Sequence, residues 1–151
     1  MTFIRFSGCN LKCNFCDTPH EQYQEMSIQE IIQKIKCYPT QRVVLTGGEP
    51  LLQADISLLK RLKLEDYKIH LETNGTIECD GEYYLDWITV SPKTGTNRIV
   101  NIDELKVLYP IDKDINTKRE AKCYYLQPTD GQNKEENYKQ AIEFIKANLM
   151  G

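Results

Sequence analysis

Three cysteines crowd one short stretch near the start of the chain: Ser-Gly-Cys-Asn-Leu-Lys-Cys-Asn-Phe-Cys-Asp-Thr places Cys9, Cys13 and Cys16 in a C-x-x-x-C-x-x-C run. Thiolates that close can grip one metal centre from a single loop, and soft sulfur selects zinc or an iron–sulfur cluster over hard cations. No fourth cysteine follows at short spacing, although four-cysteine clusters and four-cysteine zinc sites both require one. A cluster held by three cysteines keeps one iron open to a substrate or cofactor. The competing reading uses His20, four residues after Cys16, to close a Cys₃His zinc shell that is purely structural. The triplet alone does not separate the two.

The rest of the composition narrows the class. At 151 residues the chain suits one domain spanning 1–151, too short for a complete eight-stranded barrel of ~250 residues. With 40% hydrophobic and 27% charged residues it reads as an ordinary soluble protein. A net charge of −3 with interspersed charges gives no basic face, so nucleic acid is not the expected partner. No apolar run approaches the ~20 residues of a membrane span, and Cys9 and Lys12 interrupt any leader-like segment. The expectation is a cytoplasmic protein whose cysteines are a metal site plus thiols, with Cys37, Cys79 and Cys123 as motif-free thiols.

Alternation predicts a strand over Thr2–Ser7, with Ile4 and Phe6 on one face and Phe3, Arg5 and Ser7 on the other. A loop to about Gln24 carries the cysteines. Ser27 with Glu30 forms a capping box, opening a helix striped by Ile28, Ile31, Ile32 and Ile35 that Pro39 bars from continuing. Arg42–Thr46 is a second strand, followed by a helix over about Ala54–Leu64 that packs Leu58, Leu59 and Leu62. Tyr67–Glu72 alternates strictly; Asp86–Ser91, Glu104–Tyr109 and Lys122–Gln127 are further strands. A last helix, about Glu135–Leu149, is expected to bury Tyr138, Ala141, Ile142, Ile145 and Leu149. Strands joined by helices or long crossovers imply parallel pairing. The fold class is therefore α/β: an open partial (β/α) barrel of about six mostly parallel strands with about three helices.

In such sheets chemistry gathers at the C-terminal strand ends. Five polar clusters fall there: Ser7-Gly8-Cys9, Thr46-Gly47-Gly48-Glu49, Glu72-Thr73-Asn74-Gly75, Ser91-Pro92-Lys93 and Gln127-Pro128. Gly47-Gly48-Glu49-Pro50 could be no more than a strand-to-helix turn. Beside three cysteines it also suits a ligand: glycines admit close backbone approach, and Glu49 offers a carboxylate to an ammonium group. Alternation sets Arg5, Thr46, His70 and Glu72 on one polar face. Arg5 suits a carboxylate through its planar fork, or else a salt bridge at the sheet edge. His70 reads as a core histidine rather than a base, Lys93 could be a solvated loop lysine, and Glu72 at a strand tip is a weak catalytic candidate.

The cysteine triplet and Gly-Gly-Glu turn together resemble the radical S-adenosylmethionine (SAM) superfamily, and the resemblance covers nearly the whole chain. It implies a 4Fe–4S cluster on Cys9, Cys13 and Cys16 whose unique iron is chelated by SAM. Phe15 then matches the aromatic near the adenine, and Gly47, Gly48 and Glu49 the turn holding the methionine ammonium. Reductive cleavage would give a 5′-deoxyadenosyl radical that abstracts hydrogen from a substrate. With both marks present, the cluster is favoured over zinc.

The finer phrases resemble one family, 7-carboxy-7-deazaguanine synthase: residues 5–18, Leu-Thr-Gly-Gly-Glu-Pro-Leu-Leu-Gln (45–53), Leu-Glu-Thr-Asn-Gly-Thr (71–76), Val-Ser-Pro-Lys (90–93), Glu-Leu-Lys-Val (104–107) and Tyr-Leu-Gln-Pro-Thr-Asp (125–130). That family rearranges 6-carboxytetrahydropterin into 7-carboxy-7-deazaguanine with loss of ammonia, toward deazaguanine nucleosides such as queuosine. The resemblance implies Mg²⁺ at Thr18, substrate contacts at Arg5 and Thr46, and SAM contacts at Phe15, Cys16, Asp17, Gly48, Ser91, Pro92, Lys93, Gln127, Pro128, Thr129 and Asp130. It also implies an electron donor such as flavodoxin and a homodimer. Family members usually carry an upstream Gln-Gly-Glu-Gly stretch and a C-terminal segment that this sequence does not show, so the expectation is either a minimal member or a fragment missing part of its substrate site. The competing functions are a radical-SAM activase that makes a glycyl radical on a partner protein, and a non-catalytic iron–sulfur module.

Overall fold

A computed structural model describes residues 1–19, 22–110 and 119–149, the side chain of 149 excepted. The strands are β1 (Thr2–Phe6), β2 (Arg42–Gly47), β3 (Lys68–Thr73), β4 (Trp87–Val90), β5 (Glu104–Tyr109) and β6 (Cys123–Pro128). They form one sheet in the order β1-β2-β3-β4-β5-β6, every pair parallel. The helices are α1 (Ile28–Ile35), α2 (Ile56–Leu64) and α3 (Lys134–Leu149), with short 3₁₀ turns at Pro50–Leu52 and Glu82–Tyr84. Sequential parallel order with both edges open is the expected partial barrel. No helix among the described residues is long and apolar enough to cross a membrane.

Register explains the two faces. Partners in a parallel ladder share a face, so Ile4, Leu45, Leu71 and Ile88 form one apolar row. That row, with Val43, Ile69, Val90 and Leu105, meets Ile32 and Ile35 of α1 and Leu58, Leu59 and Leu62 of α2. Each such side chain taken fully out of water contributes about 1.5–3 kcal/mol. The next row, on the opposite face, is polar: Arg5 beside Thr46, and Glu72 beside Thr89. β2 is buried from Val43 to Thr46 on both of its faces, as a central strand should be.

Helix α1 begins where its sequence dictates. The Ser27 hydroxyl accepts from the Glu30 backbone N–H at 3.3 Å, and the Glu30 carboxylate accepts from the Ser27 N–H at 2.7 Å. In α2, Asp55 Oδ1 accepts from the Leu58 N–H at 2.9 Å, which sets the start two residues later than the apolar pattern implies.

The last helix departs from expectation. Ala141 is buried, but Tyr138, Ile142 and Ile145 are 49%, 50% and 38% exposed, and the Leu149 side chain lies outside the described residues. The reason is topological: α3 follows the edge strand and packs chiefly on β6, with Phe144 reaching the Tyr109 ring, so only one line of its stripe finds a neighbour. Replacing Ser27 with alanine should cost about 1 kcal/mol, read as a lower urea midpoint at unchanged m-value, while Ser27→Asp should retain most of the stability.

Candidate active site

The C-terminal strand ends surround a cavity of about 680 Å³. The loop after β1 supplies Cys9, Cys13, Phe15, Cys16, Asp17 and Thr18; the turn after β2 supplies Gly47 and Gly48. Its floor carries Arg5, Thr46, Glu72 and Thr89, and its far wall Ser91, Lys93, Gln127, Pro128, Thr129 and Asp130. Almost every residue singled out in the sequence therefore faces one space. Of the candidate cluster, cofactor, substrate and Mg²⁺ contacts, Glu49 and Pro92 are absent from the lining, and both are buried. His70 is also absent; it stacks on Trp87 at 6.4 Å between ring centres. His20 lies outside the described residues.

The Glu49 carboxylate, expected to face a ligand, is tucked under the turn onto protein donors. The side chain is 0% exposed. Oε1 accepts from Thr73 Oγ1 at 2.8 Å and from the Leu51 N–H at 3.1 Å, while Oε2 accepts from the Asn74 N–H at 2.8 Å. Burial raises its pKa above the ordinary glutamate range, with those three hydrogen bonds opposing the rise. The glycines before it shape the turn. Gly47 has φ +130°, and a Cβ there would stand 2.1 Å from the Phe6 carbonyl oxygen, so only glycine fits beside the end of β1.

The thiol loop and the far wall meet electrostatically at Lys93. Its Nζ donates to Ser91 Oγ at 2.7 Å and lies 5.6 Å from the centre of the Phe15 ring. Burial lowers the Lys93 pKa; the Cys13 and Cys16 thiols oppose this, and the Lys106 ammonium adds to it. Burial pushes the Cys13 thiol up, against the pull of Lys93, and Cys9 and Cys16 push it further. Cys13 thus stands electrostatically between the other two thiols and Lys93. On the floor, Thr46 Oγ1 donates to Glu72 Oε2 at 2.9 Å. Among the described residues Arg5, Lys93 and Lys106 have no ion-pair partner, whereas Lys134 pairs with Asp130 at 3.2 Å.

The donor set fits an iron–sulfur cluster with one open iron: three thiols on one loop and a glycine turn opposite. Among the described residues no three Cys, His, Asp or Glu side chains stand at the spacing of a single metal ion. Sulfurs on one cubane each bind a separate iron and have no need to converge. Sequence reasoning left Asn74, Thr89 and Lys106 without roles, yet all line the cavity. The signal for Lys106 was the alternation of β5, where Leu105 and Val107 are buried and Lys106 is left for the other face.

Residues 3–149 match the family model described as Radical SAM superfamily. The crystal structure of QueE from Escherichia coli has the same fold, with a TM-score of 0.73 at 24% identity, covering 97% of this chain and 80% of that one. The protein is a member of the radical SAM superfamily, and membership implies a 4Fe–4S cluster and SAM. A 7-carboxy-7-deazaguanine synthase of Bacteroides thetaiotaomicron is 45% identical over 133 residues, which are 87% of this chain and 72% of the relative. That of Bradyrhizobium diazoefficiens is 36% identical over 169 residues, 94% of this chain and 79% of the relative. That of Haemophilus influenzae is 31% identical over 140 residues, and there the chain spans 65% of the relative. Within the superfamily, the chain belongs to the 7-carboxy-7-deazaguanine synthase family.

Glu49→Gln should destabilise the protein by about 2 kcal/mol, because an amide N–H₂ would face backbone and hydroxyl donors. The sign of the pH effect is set by the raised pKa: the folded state holds the Glu49 proton more tightly than the unfolded one. That contribution to stability is present in acid and lost as pH rises through the folded pKa. Urea unfolding followed from acid to neutral pH should show this decline in the wild type and a flatter profile in the glutamine variant.

Proposed function

We propose that this chain converts 6-carboxytetrahydropterin into 7-carboxy-7-deazaguanine, with release of ammonia. The observation that carries the reading is the convergence, in one cavity, of the three thiols, the Gly47-Gly48 turn and the Arg5–Thr46–Glu72 floor. The names of the relatives supply the product, and the family resemblance of the sequence supplies the substrate.

In this reading Cys9, Cys13 and Cys16 hold the 4Fe–4S cluster. Phe15, Asp17, Gly47, Gly48, Ser91, Lys93, Gln127, Pro128, Thr129 and Asp130 surround SAM, while Glu49 and Pro92 act from beneath by fixing the turns. When bound, the reduced cluster and SAM supply the 5′-deoxyadenosyl radical that takes a hydrogen atom from the substrate. Arg5 takes the substrate carboxylate through its guanidinium fork. Thr46 orients Glu72 by donating to Oε2, leaving Oε1 to accept or return a substrate proton as the ring contracts. Thr18, on the cavity wall, would offer one oxygen to Mg²⁺, with substrate and water needed for the rest of its shell.

The exposed apolar residues of β6 and α3 (Tyr124, Tyr125, Ile142 and Ile145) suit a homodimer contact. A small flavoprotein such as flavodoxin, in the cytoplasm, is the proposed electron source.

The test is anaerobic incubation of reconstituted protein with dithionite, SAM, Mg²⁺ and 6-carboxytetrahydropterin. Formation of 7-carboxy-7-deazaguanine well above a cluster-free control is the expected result; its absence overturns the reading. In the same assay Arg5→Lys should raise KM roughly tenfold, the loss of about 1.4 kcal/mol from a fork that lysine cannot reproduce, with a smaller change in kcat.

A further inference from the structure

We propose that Asn74 is a positioning residue for Cys9 and that, by donating a side-chain N–H to its sulfur, it raises the reduction potential of the cluster. The inference rests on the cluster reading above and concerns a residue to which that reading gives no role.

The Asn74 residue is 7% exposed at the end of β3, and every hydrogen-bonding group of its side chain is engaged. One amide hydrogen goes to Asn10 Oδ1 at 3.0 Å; the other faces Cys9 Sγ in a long N–H···S contact of 4.0 Å. Asn74 Oδ1 accepts from the Thr76 N–H at 2.9 Å and from the Thr76 hydroxyl at 2.6 Å. Thr76 Oγ1 in turn accepts from Asn10 Nδ2 at 2.8 Å, which closes a ring of three side chains. Within that ring the amide has one orientation. Flipped, its N–H₂ would confront the Thr76 N–H and its oxygen would confront the sulfur. A second donor, the Leu11 backbone N–H, reaches Cys9 Sγ at 3.5 Å. The Asn74 backbone is itself fixed, because its N–H donates to the buried Glu49. The loop after β1 is thereby locked to the turn after β3 through the residue that flanks the first thiol.

The physical consequence concerns charge. The metal-binding form of cysteine is the thiolate, and reduction of the cluster by one electron adds negative charge that the sulfurs share. Donors aimed at a ligand sulfur stabilise the more negative state more, so they raise the potential. A ring that holds one amide N–H toward Cys9 makes the cluster easier to reduce than the same cube without it.

The test compares wild type, Asn74→Leu and Thr76→Val, each reconstituted anaerobically with iron and sulfide. Iron and sulfide per chain are counted, and the cluster is titrated by EPR against applied potential without SAM or substrate. Asn74→Leu should keep the iron content but lower the midpoint. At the wild-type midpoint its ratio of reduced to oxidised cluster should fall about tenfold, a shift of about 59 mV for a one-electron couple. Thr76→Val, which keeps the amide but releases its oxygen, should move the midpoint the same way by less. An unmoved midpoint in Asn74→Leu at full iron content overturns the proposal, whatever happens to the melting temperature. Should Asn74→Leu not fold or not hold iron, an unmoved midpoint in Thr76→Val overturns it instead. A wild-type chain that takes up no cluster sinks the underlying reading, and this one with it; a full cluster with unmoved midpoints sinks only the role of Asn74.

Discussion

A carboxylate buried at the meeting point of three strands holds this molecule in working shape. Glu49 accepts from the end of β3 through Thr73 and Asn74, and from Leu51 in its own turn; its backbone N–H donates to the Gly8 carbonyl after β1. An unpaired carboxylate in such a place would be expensive, and three donors make it tolerable. The arrangement is reciprocal. The Thr73 and Asn74 donors need that acceptor because they too are buried, so the tips of β1, β2 and β3 are fixed together rather than separately. Gly47 completes the device by letting the Phe6 backbone approach where any side chain would collide.

Upon that frame the parallel register does the sorting. One row of side chains carries Ile4, Leu45, Leu71 and Ile88 toward the helices, and the next carries Arg5, Thr46, Glu72 and Thr89 toward the cavity. The cavity is charged unevenly. Arg5 stands at the edge strand β1, while Lys93 and Lys106 stand beyond β4 and on β5, none with an ion-pair partner among the described residues. Lys93 and Lys106 are partly shielded from water, which is costly unless an anion joins them, whereas Arg5 is exposed. The negative charge that three metal-bound thiolates would bring beside Lys93 is of the sign such a space is suited to take.

Most of the fold could be read from local pattern. The Ser27–Glu30 box and the isoleucine stripe placed α1 where it is found, and strict alternation placed β3 within a residue. What local pattern could not show was the neighbour. The apolar residues of α3 obey helical spacing but lie over an edge, where β6 covers only part of them. The site divides in the same way. Residue type and spacing identified the thiols and the glycine turn. The Glu49 contact with Thr73 was not legible, because nothing in Gly-Gly-Glu-Pro tells whether the carboxylate points out to a ligand or under the turn. Asn74 went without a role because its partners, Asn10 and Cys9, are more than sixty positions away in sequence and meet it only through the parallel crossover.

The central claim is that the three thiols leave one iron open and that the cavity delivers SAM to it. The most direct measurement is the EPR spectrum of the anaerobically purified, reduced protein before and after addition of SAM. A change in the spectrum on addition, from a protein that contains a 4Fe–4S cluster, is what this account predicts. A spectrum indifferent to SAM, or a protein carrying one zinc ion in place of iron, would contradict it.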